Sequence, residues 1–233
     1  GMALQYSEGT VRSSRDGAST KAQSTIFGLY GEYRLNNWYG QFSAQAGVGW
    51  NKERTNFHSW GDNTHASYRS YLWGLTSEFG YRACLGDSGS PWVLTPHLGI
   101  DLESLWQNSF TENGDPALQR HFSENTYTVM EIPVGLRVAK YVTLQDARLT
   151  VFADAAYALN AGDQRPATTV RFVNIPNEDW RVAGVNSGRH SLRLEGGIEA
   201  RVGKHLAMDL SYGLETRARY TDQRVGLSLG FQF

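Results

Sequence analysis

Ser88 sits in the most reactive-looking surroundings of the chain. It lies within Gly86-Asp87-Ser88-Gly89-Ser90-Pro91, with Cys84 shortly before and Trp92-Val93 directly after. A serine on a tight glycine turn could attack an acyl carbon, if a base takes its proton and a carboxylate orients that base. Only His58 and His65 precede it to act as that base. Gly, Asp, Ser and Pro also build ordinary turns, each for its own steric reason. The stretch is therefore expected to be a short connection between two strands, with Cys84 an unpaired turn residue and no catalytic residue in it. His97 and Asp101, four residues apart, offer a second acid–base pair, but a histidine satisfied by its neighbours needs no chemistry. The six histidines and one cysteine show no metal spacing completed by a third ligand. Gly196-Gly197 leads into no helix and so cradles no phosphate. No metal, cofactor or enzymatic activity is expected.

The charged residues follow a more telling pattern. Glu32, Glu78, Asp101, Glu103, Glu131, Arg137, Asp154, Arg193, Glu195, Glu199, Arg201 and Asp209 stand one residue away from apolar neighbours, in segments that alternate. On a strand, alternate side chains point to opposite faces, so each of these charges falls on the face away from the apolar set. Singly they are expected to pair and hydrate. As a set, with both signs mixed, they are expected to line a wet pore.

The elements that must position them are strands. At the C-terminus Val225, Leu227, Leu229, Phe231 and Phe233 alternate with Gly226, Ser228, Gly230 and Gln232. Leu206, Met208, Leu210, Tyr212 and Leu214 do the same against Ala207, Asp209, Ser211, Gly213 and Glu215. Similar runs begin near Met2, Phe27, Phe42, Tyr71, Leu94, Met130, Leu149 and Leu192, which makes about ten strands. None has the three-and-four spacing of a helix. Pro96 and Pro133 fall inside two of the runs and are expected to mark bulges or weak points. The connections alternate long and short. The longer ones are 9–24, 54–66, 108–125, 160–188 and 216–222; the shorter are 35–37, 82–91, 140–147 and 203–204.

The whole chain has 233 residues, 40% of them hydrophobic, and a formal net charge of −1. It lacks the basic excess of a nucleic-acid binder. No apolar run approaches the ~20 residues of a membrane helix, and Gly1-Met2-Ala3-Leu4 is not a signal peptide. A soluble sandwich would also alternate. Runs of ten or more residues, glycine and both charge signs on the polar face, and aromatics near strand ends (Trp38, Tyr39, Tyr81, Trp92, Tyr141, Phe233) favour a membrane barrel. The expected fold is all-β: one antiparallel transmembrane barrel domain over residues 1–233 in an outer membrane. Its apolar face meets lipid and both ends are periplasmic.

Arg189 to Arg201, then Leu206 to Tyr212, then Tyr220-Thr-Asp-Gln-Arg-Val-Gly-Leu-Ser-Leu-Gly-Phe-Gln-Phe233 resemble the end of an autotransporter β-domain. Ala3-Leu-Gln-Tyr-Ser and Phe27-Gly-Leu-Tyr-Gly resemble its earlier strands. The resemblance implies a Gram-negative type V secretion translocator: a twelve-stranded barrel, threaded by an α-helix, that anchors an N-terminal passenger and exports it to the cell surface. Against that pattern the chain begins where the third strand would be, so no helix junction or self-cleavage residue is carried over. The resemblance also implies that Val225, Leu227, Leu229, Phe231 and Phe233 form the signal read by the barrel-assembly machinery. The Ser88 loop resembles that of chymotrypsin-like serine proteases, but the serine comes too early and the histidines lack that family's Ala-His-Cys setting. The alternative is a self-standing ten-stranded barrel acting as an enzyme, porin or adhesin. Met2–Ser7 is expected to pair with Val225–Phe233 and close the sheet, with inward glycines giving the room; the alternatives are edge pairing with another copy or instability outside a parent chain.

Overall fold

Period-two patterning leaves each segment's backbone N–H and C=O groups without partners of its own, so every run must bond to a neighbouring strand. The computed structural model describes residues 1–13, 17–57, 62–86, 90–145, 147–175, 177–203 and 205–231. In it ten long strands do this: β1 (Met2–Arg12), β2 (Ala18–Leu35), β3 (Trp38–Phe57), β4 (Asp62–Tyr81), β5 (Trp92–Gln107), β6 (Asn125–Thr143), β7 (Ala147–Asn160), β8 (His190–Val202), β9 (Leu206–Arg217) and β10 (Thr221–Phe231). They pair antiparallel in chain order, β1 to β10. No described helix is long and apolar enough to cross a membrane; crossing falls to strands.

The register divides the sheet into two faces. Leu210 stands opposite Ile198 and Leu227, and the next residue, Ser211, stands opposite Gly197 and Gly226. The apolar face is largely exposed, with Leu210 at 52% and Leu227 at 70%, while Leu94, Leu102, Leu149 and Leu214 are half-buried. Apolar burial that normally drives folding in water is missing there, as expected of a face that meets lipid. On β4 this face runs Tyr71, Trp73, Leu75, Ser77, Phe79, Tyr81. At ~3.3 Å per residue and a tilt near 40°, Tyr71 to Tyr81 covers about 25 Å, the height of an outer-membrane apolar band. Tyr71 stacks on Trp106 at one end, and Trp38 meets Tyr81 edge-on at the other.

β3 and β4 have 20 residues each, twice what a crossing needs. Their excess projects on one side, where the chain builds a second sheet from Phe110–Thr111, Arg120–Phe122, Ala167–Phe172 and Asp179–Ala183. Phe110 stacks between Tyr68 of β4 and Phe122, at 4.1 and 4.6 Å. Beside them Glu112 is fully buried. Arg120 donates to both its carboxylate oxygens, at 2.8 and 2.6 Å, and the Thr64 hydroxyl donates at 3.0 Å. A buried charge is tolerable only with such complete pairing.

Several expectations need correction. β1 and β10 do not pair, so among the described residues the sheet is open and each of these strands has a bare edge. The room that inward glycines were expected to leave is partly taken. A Cβ on Gly135 would lie 2.4 Å from His97 Nε2, one on Gly99 2.9 Å from Pro133, and one on Gly47 2.7 Å from the Thr25 carbonyl. Tightening the sheet would compress those side chains. Pro133 makes no bulge. The β5–β6 ladder skips it and resumes in unchanged register at Val134, because proline has no N–H to give. Pro96 stays in register opposite Leu136. Tyr39 and Tyr141 lie on the polar face, where Tyr39 donates to Glu78 and Arg82 donates to Tyr141. Cys84 is free but sits in a short strand, Ala83–Leu85, paired with β5. Connections 13–17, 58–61 and 218–220 are short; the missing length has become strand. On the opposite side β2 and β3 join through Asn36-Asn37, with Asn36 at φ 53°, a conformation asparagine tolerates.

Candidate functional site: the concave charged face

The polar face is concave. Arg193 on β8 reaches Asp101 on β5 at 2.9 Å although β6 and β7 lie between them. Across a flat sheet these strands would be about 14 Å apart, at ~4.8 Å per strand, so the sheet must curl toward this face. Gln45 on β3 likewise reaches over β4 to Glu103 on β5, at 3.3 Å.

Two charge clusters occupy the hollow. In one, Arg193 binds Asp101 and Glu131, with Glu215 3.7 Å from its Nε. Arg217 bridges Glu131 and Glu215, the latter at 2.6 Å. In the other, His97 Nε2 lies 3.1 Å from Asp154, which also accepts from Arg137 at 3.1 Å. His97 Nδ1 is 3.4 Å from Glu78 but makes no hydrogen bond there. The pairing spans strands far apart in sequence, so these groups set the curvature as well as the surface charge.

Together they line a cavity of about 950 Å³. Of the twelve charged residues expected on this face, eight line it: Glu78, Asp101, Glu103, Glu131, Arg137, Asp154, Arg193 and Glu195. The other four share the face by register but lie elsewhere. Glu32 pairs with Arg34, Glu199 stands opposite Asp209, and Arg201 stands opposite Arg148. Sequence reasoning passed over Tyr39, Gln45, Arg217, Asp222 and Arg224. Arg217 was within reach, because Asp209, Ser211, Gly213, Glu215 and Arg217 continue one alternation. Gln45 was hidden by being uncharged.

Among the described residues His97, the histidine of the cavity, hydrogen-bonds Asp154 and no serine or threonine hydroxyl. Asp87, Ser88 and Gly89 lie outside the described residues, as does His58. Ser90 of the same stretch donates its hydroxyl to the Tyr141 carbonyl on β6. Among the described residues no three His, Cys, Asp or Glu side chains gather as a metal site. Val225, Leu227, Leu229 and Phe231 of the expected assembly signal are exposed on the convex face, and Phe233 lies outside the described residues.

A curled antiparallel sheet, apolar outside and charged inside, narrows the choice to membrane barrels. A family model, the autotransporter β-domain, matches residues 1–213. The chain belongs to that family. The translocator domain of the autotransporter NalP from Neisseria meningitidis is similar in fold, with a TM-score of 0.72 and 17% identity, over all of this chain and 75% of that one. The transport unit of AIDA-I from Escherichia coli matches more loosely, with a TM-score of 0.39 and 10% identity over 100% of this chain and 88% of that one. No curated protein matches the sequence.

The family match ends within β9, so the terminal strand of this β-domain lies beyond it. Its resemblance to the family's closing strand rests on its own alternation. The hollow of the β-domain is not neutral. Eight carboxylates and four guanidinium groups line the cavity, besides His97. Glu103 and Glu195 are exposed in it without ion pairs among the described residues.

Proposed function

We propose that this β-domain is the membrane-embedded unit that anchors an N-terminal passenger and passes it to the cell surface. The observation that carries the reading is the division of one curled sheet into a mainly apolar convex face and a charged concave one. The convex face contacts outer-membrane lipid. The concave face, carrying Glu32, Glu199, Arg201 and Asp209 along with the cavity residues, lines the wet passage. Its charges are largely paired with each other, so a passing chain meets water and fixed dipoles rather than adhesive apolar surface. Both chain ends face the periplasm, and the long connections with the second sheet face outward. The C-terminal segment, with Val225, Leu227, Leu229 and Phe231 in β10 and Phe233 after it in the sequence, is what the barrel-assembly machinery reads. The domain does no chemistry, at Ser88 or elsewhere.

The test is surface display. The full-length protein is expressed in Gram-negative cells, and intact cells are treated with a protease. A passenger cut at the surface in wild type, and kept in the periplasm when the Arg193–Glu131 cluster is replaced in a barrel that still assembles, supports the proposal. A passenger that reaches the surface without this domain overturns it.

A further inference from the structure

We propose that the convex corner of β1 to β4, just past the aromatic belt, binds the phosphorylated headgroup of an outer-leaflet lipid. This rests on the proposed placement of the convex face in the membrane, with the long connections outside. It does not rest on passenger export.

The register lays out the corner as three rows of directly opposed residues. The first is Glu8, Gln23, Trp50 and Arg69. The second is Thr10, Lys21, Lys52 and Ser67, and the third is Arg12, Ser19, Arg54 and His65. At ~4.8 Å between strands and ~6.7 Å between rows, the grid measures roughly 14 by 13 Å. It contains five cations, His65 and a single acid. Glu8 is engaged, 2.6 Å from Lys21. Among the described residues Lys52, Arg54 and Arg69 make no ion pair, and all three are exposed.

Three features point to an anionic occupant. Lys21 and Lys52 are directly opposed, and Glu8 balances Lys21 alone, which leaves Lys52 facing a like charge with no counter-charge of its own among the described residues. Strand alternation fixes the cations on this face, and behind Arg54 the other face is filled, with Thr55 and Thr64 buried. The matching upper positions of β7 to β10 (Tyr157, His190, Thr216, Gln223) carry no lysine or arginine, so the feature is local.

Position selects a lipid as the source of the anion. Trp50 and Tyr71 mark the outer edge of the apolar band. Lys52, two residues beyond Trp50, stands about 5 Å higher at the usual strand tilt. Arg54 stands about 10 Å higher by the same geometry. Lys52 thus stands within the headgroup layer, which reaches about 5–7.5 Å above the hydrocarbon core, and Arg54 just past it, within reach of its long side chain. Lysine and arginine at this height gain from an anionic surface, within a Debye length of it.

The experiment uses the full-length protein in nanodiscs of phosphatidylcholine with a minority of phosphatidic acid, with retained lipid identified by native mass spectrometry. Wild type should retain phosphatidic acid above its bulk share. Lys52→Thr, Arg54→Thr and Arg69→Thr should each lower that retention roughly fivefold, the worth of one cation at an anionic surface. Lys52→Arg should restore it. Folding is checked by heat-modified gel mobility, and if the triple variant misfolds the single ones carry the test. The proposal is overturned if the variants retain phosphatidic acid like wild type, or if Arg171→Thr with Arg181→Thr in the second sheet lowers it equally. It is also overturned if inorganic phosphate alone displaces the lipid at equal concentration, or if an acidic peptide is bound in place of lipid. Failure of wild type to insert into any nanodisc would instead sink the membrane placement, and this proposal with it.

Discussion

One step along β9 exchanges one environment for another. Leu210 projects from the convex face between Ile198 and Leu227, while Ser211 projects from the concave face between two glycines. Leu210→Arg should therefore cost roughly 2–4 kcal/mol if it sits near the midplane. Ser211→Arg, on the lining of the charged hollow, should cost under about 1 kcal/mol. Urea-dependent refolding into vesicles measures both. Glu53, beyond the membrane band on β3, has its carboxyl held above the usual range, chiefly by burial and next by the Glu112 carboxylate, with Arg120 opposing. The folded state thus binds the proton more tightly, and stability falls as pH rises from 4.5 through the raised value. Glu53→Gln should abolish that slope and raise the melting temperature at neutral pH, with no gain below pH ~4. Ser88→Ala should leave assembly and passenger display unchanged, and Ser88 should resist a fluorophosphonate probe. The charged residues were legible one at a time from alternation. Their partners were not, since Arg193 and Asp101 meet only because four strands curl.

At the scale of elements, the membrane part of each strand was the legible part. One face there must be continuously apolar, so period two is pure from Leu206 to Leu214 and from Val225 to Phe231. Past the band both faces meet water or protein, and the signal fades. That is why β2 reaches back to Ala18 and β3 on to Phe57, through stretches that look like polar loops. The second sheet was invisible for a related reason. Its strands have two to six residues, too short for periodicity, and its core draws on Phe110, Phe122 and Tyr68 from separate segments. The glycines of the strands looked equivalent in sequence but differ in space. A Cβ on Gly135 would meet the buried His97 ring and force it off Asp154, whereas one on Gly213 finds its nearest neighbour, Arg224 Cβ, at 4.0 Å. Gly135→Ala should therefore destabilise by about 1–3 kcal/mol through overpacking, and Gly213→Ala by no more than about 0.5 kcal/mol. Chemical denaturation of the two variants in the same detergent separates them.

For the whole molecule, the two faces and the two edges follow from one constraint. Hydrocarbon satisfies no backbone hydrogen bond, so a sheet in lipid must pair every strand, and each bare group costs several kcal/mol. β1 and β10 do not pair with each other, so in the membrane both edges need other partners. Between those edges the ladder is continuous, and the sheet separates an apolar surface from a charged hollow. The most direct test of that division is cysteine scanning of β9 in the full-length protein, in membranes, with Cys84→Ser removing the native thiol. The substitutions are Met208→Cys, Asp209→Cys, Leu210→Cys, Ser211→Cys, Tyr212→Cys and Gly213→Cys, each probed with a membrane-impermeant maleimide. The account predicts labelling at positions 209, 211 and 213 and protection at 208, 210 and 212. Equal labelling along the strand, or the reverse alternation, would contradict it.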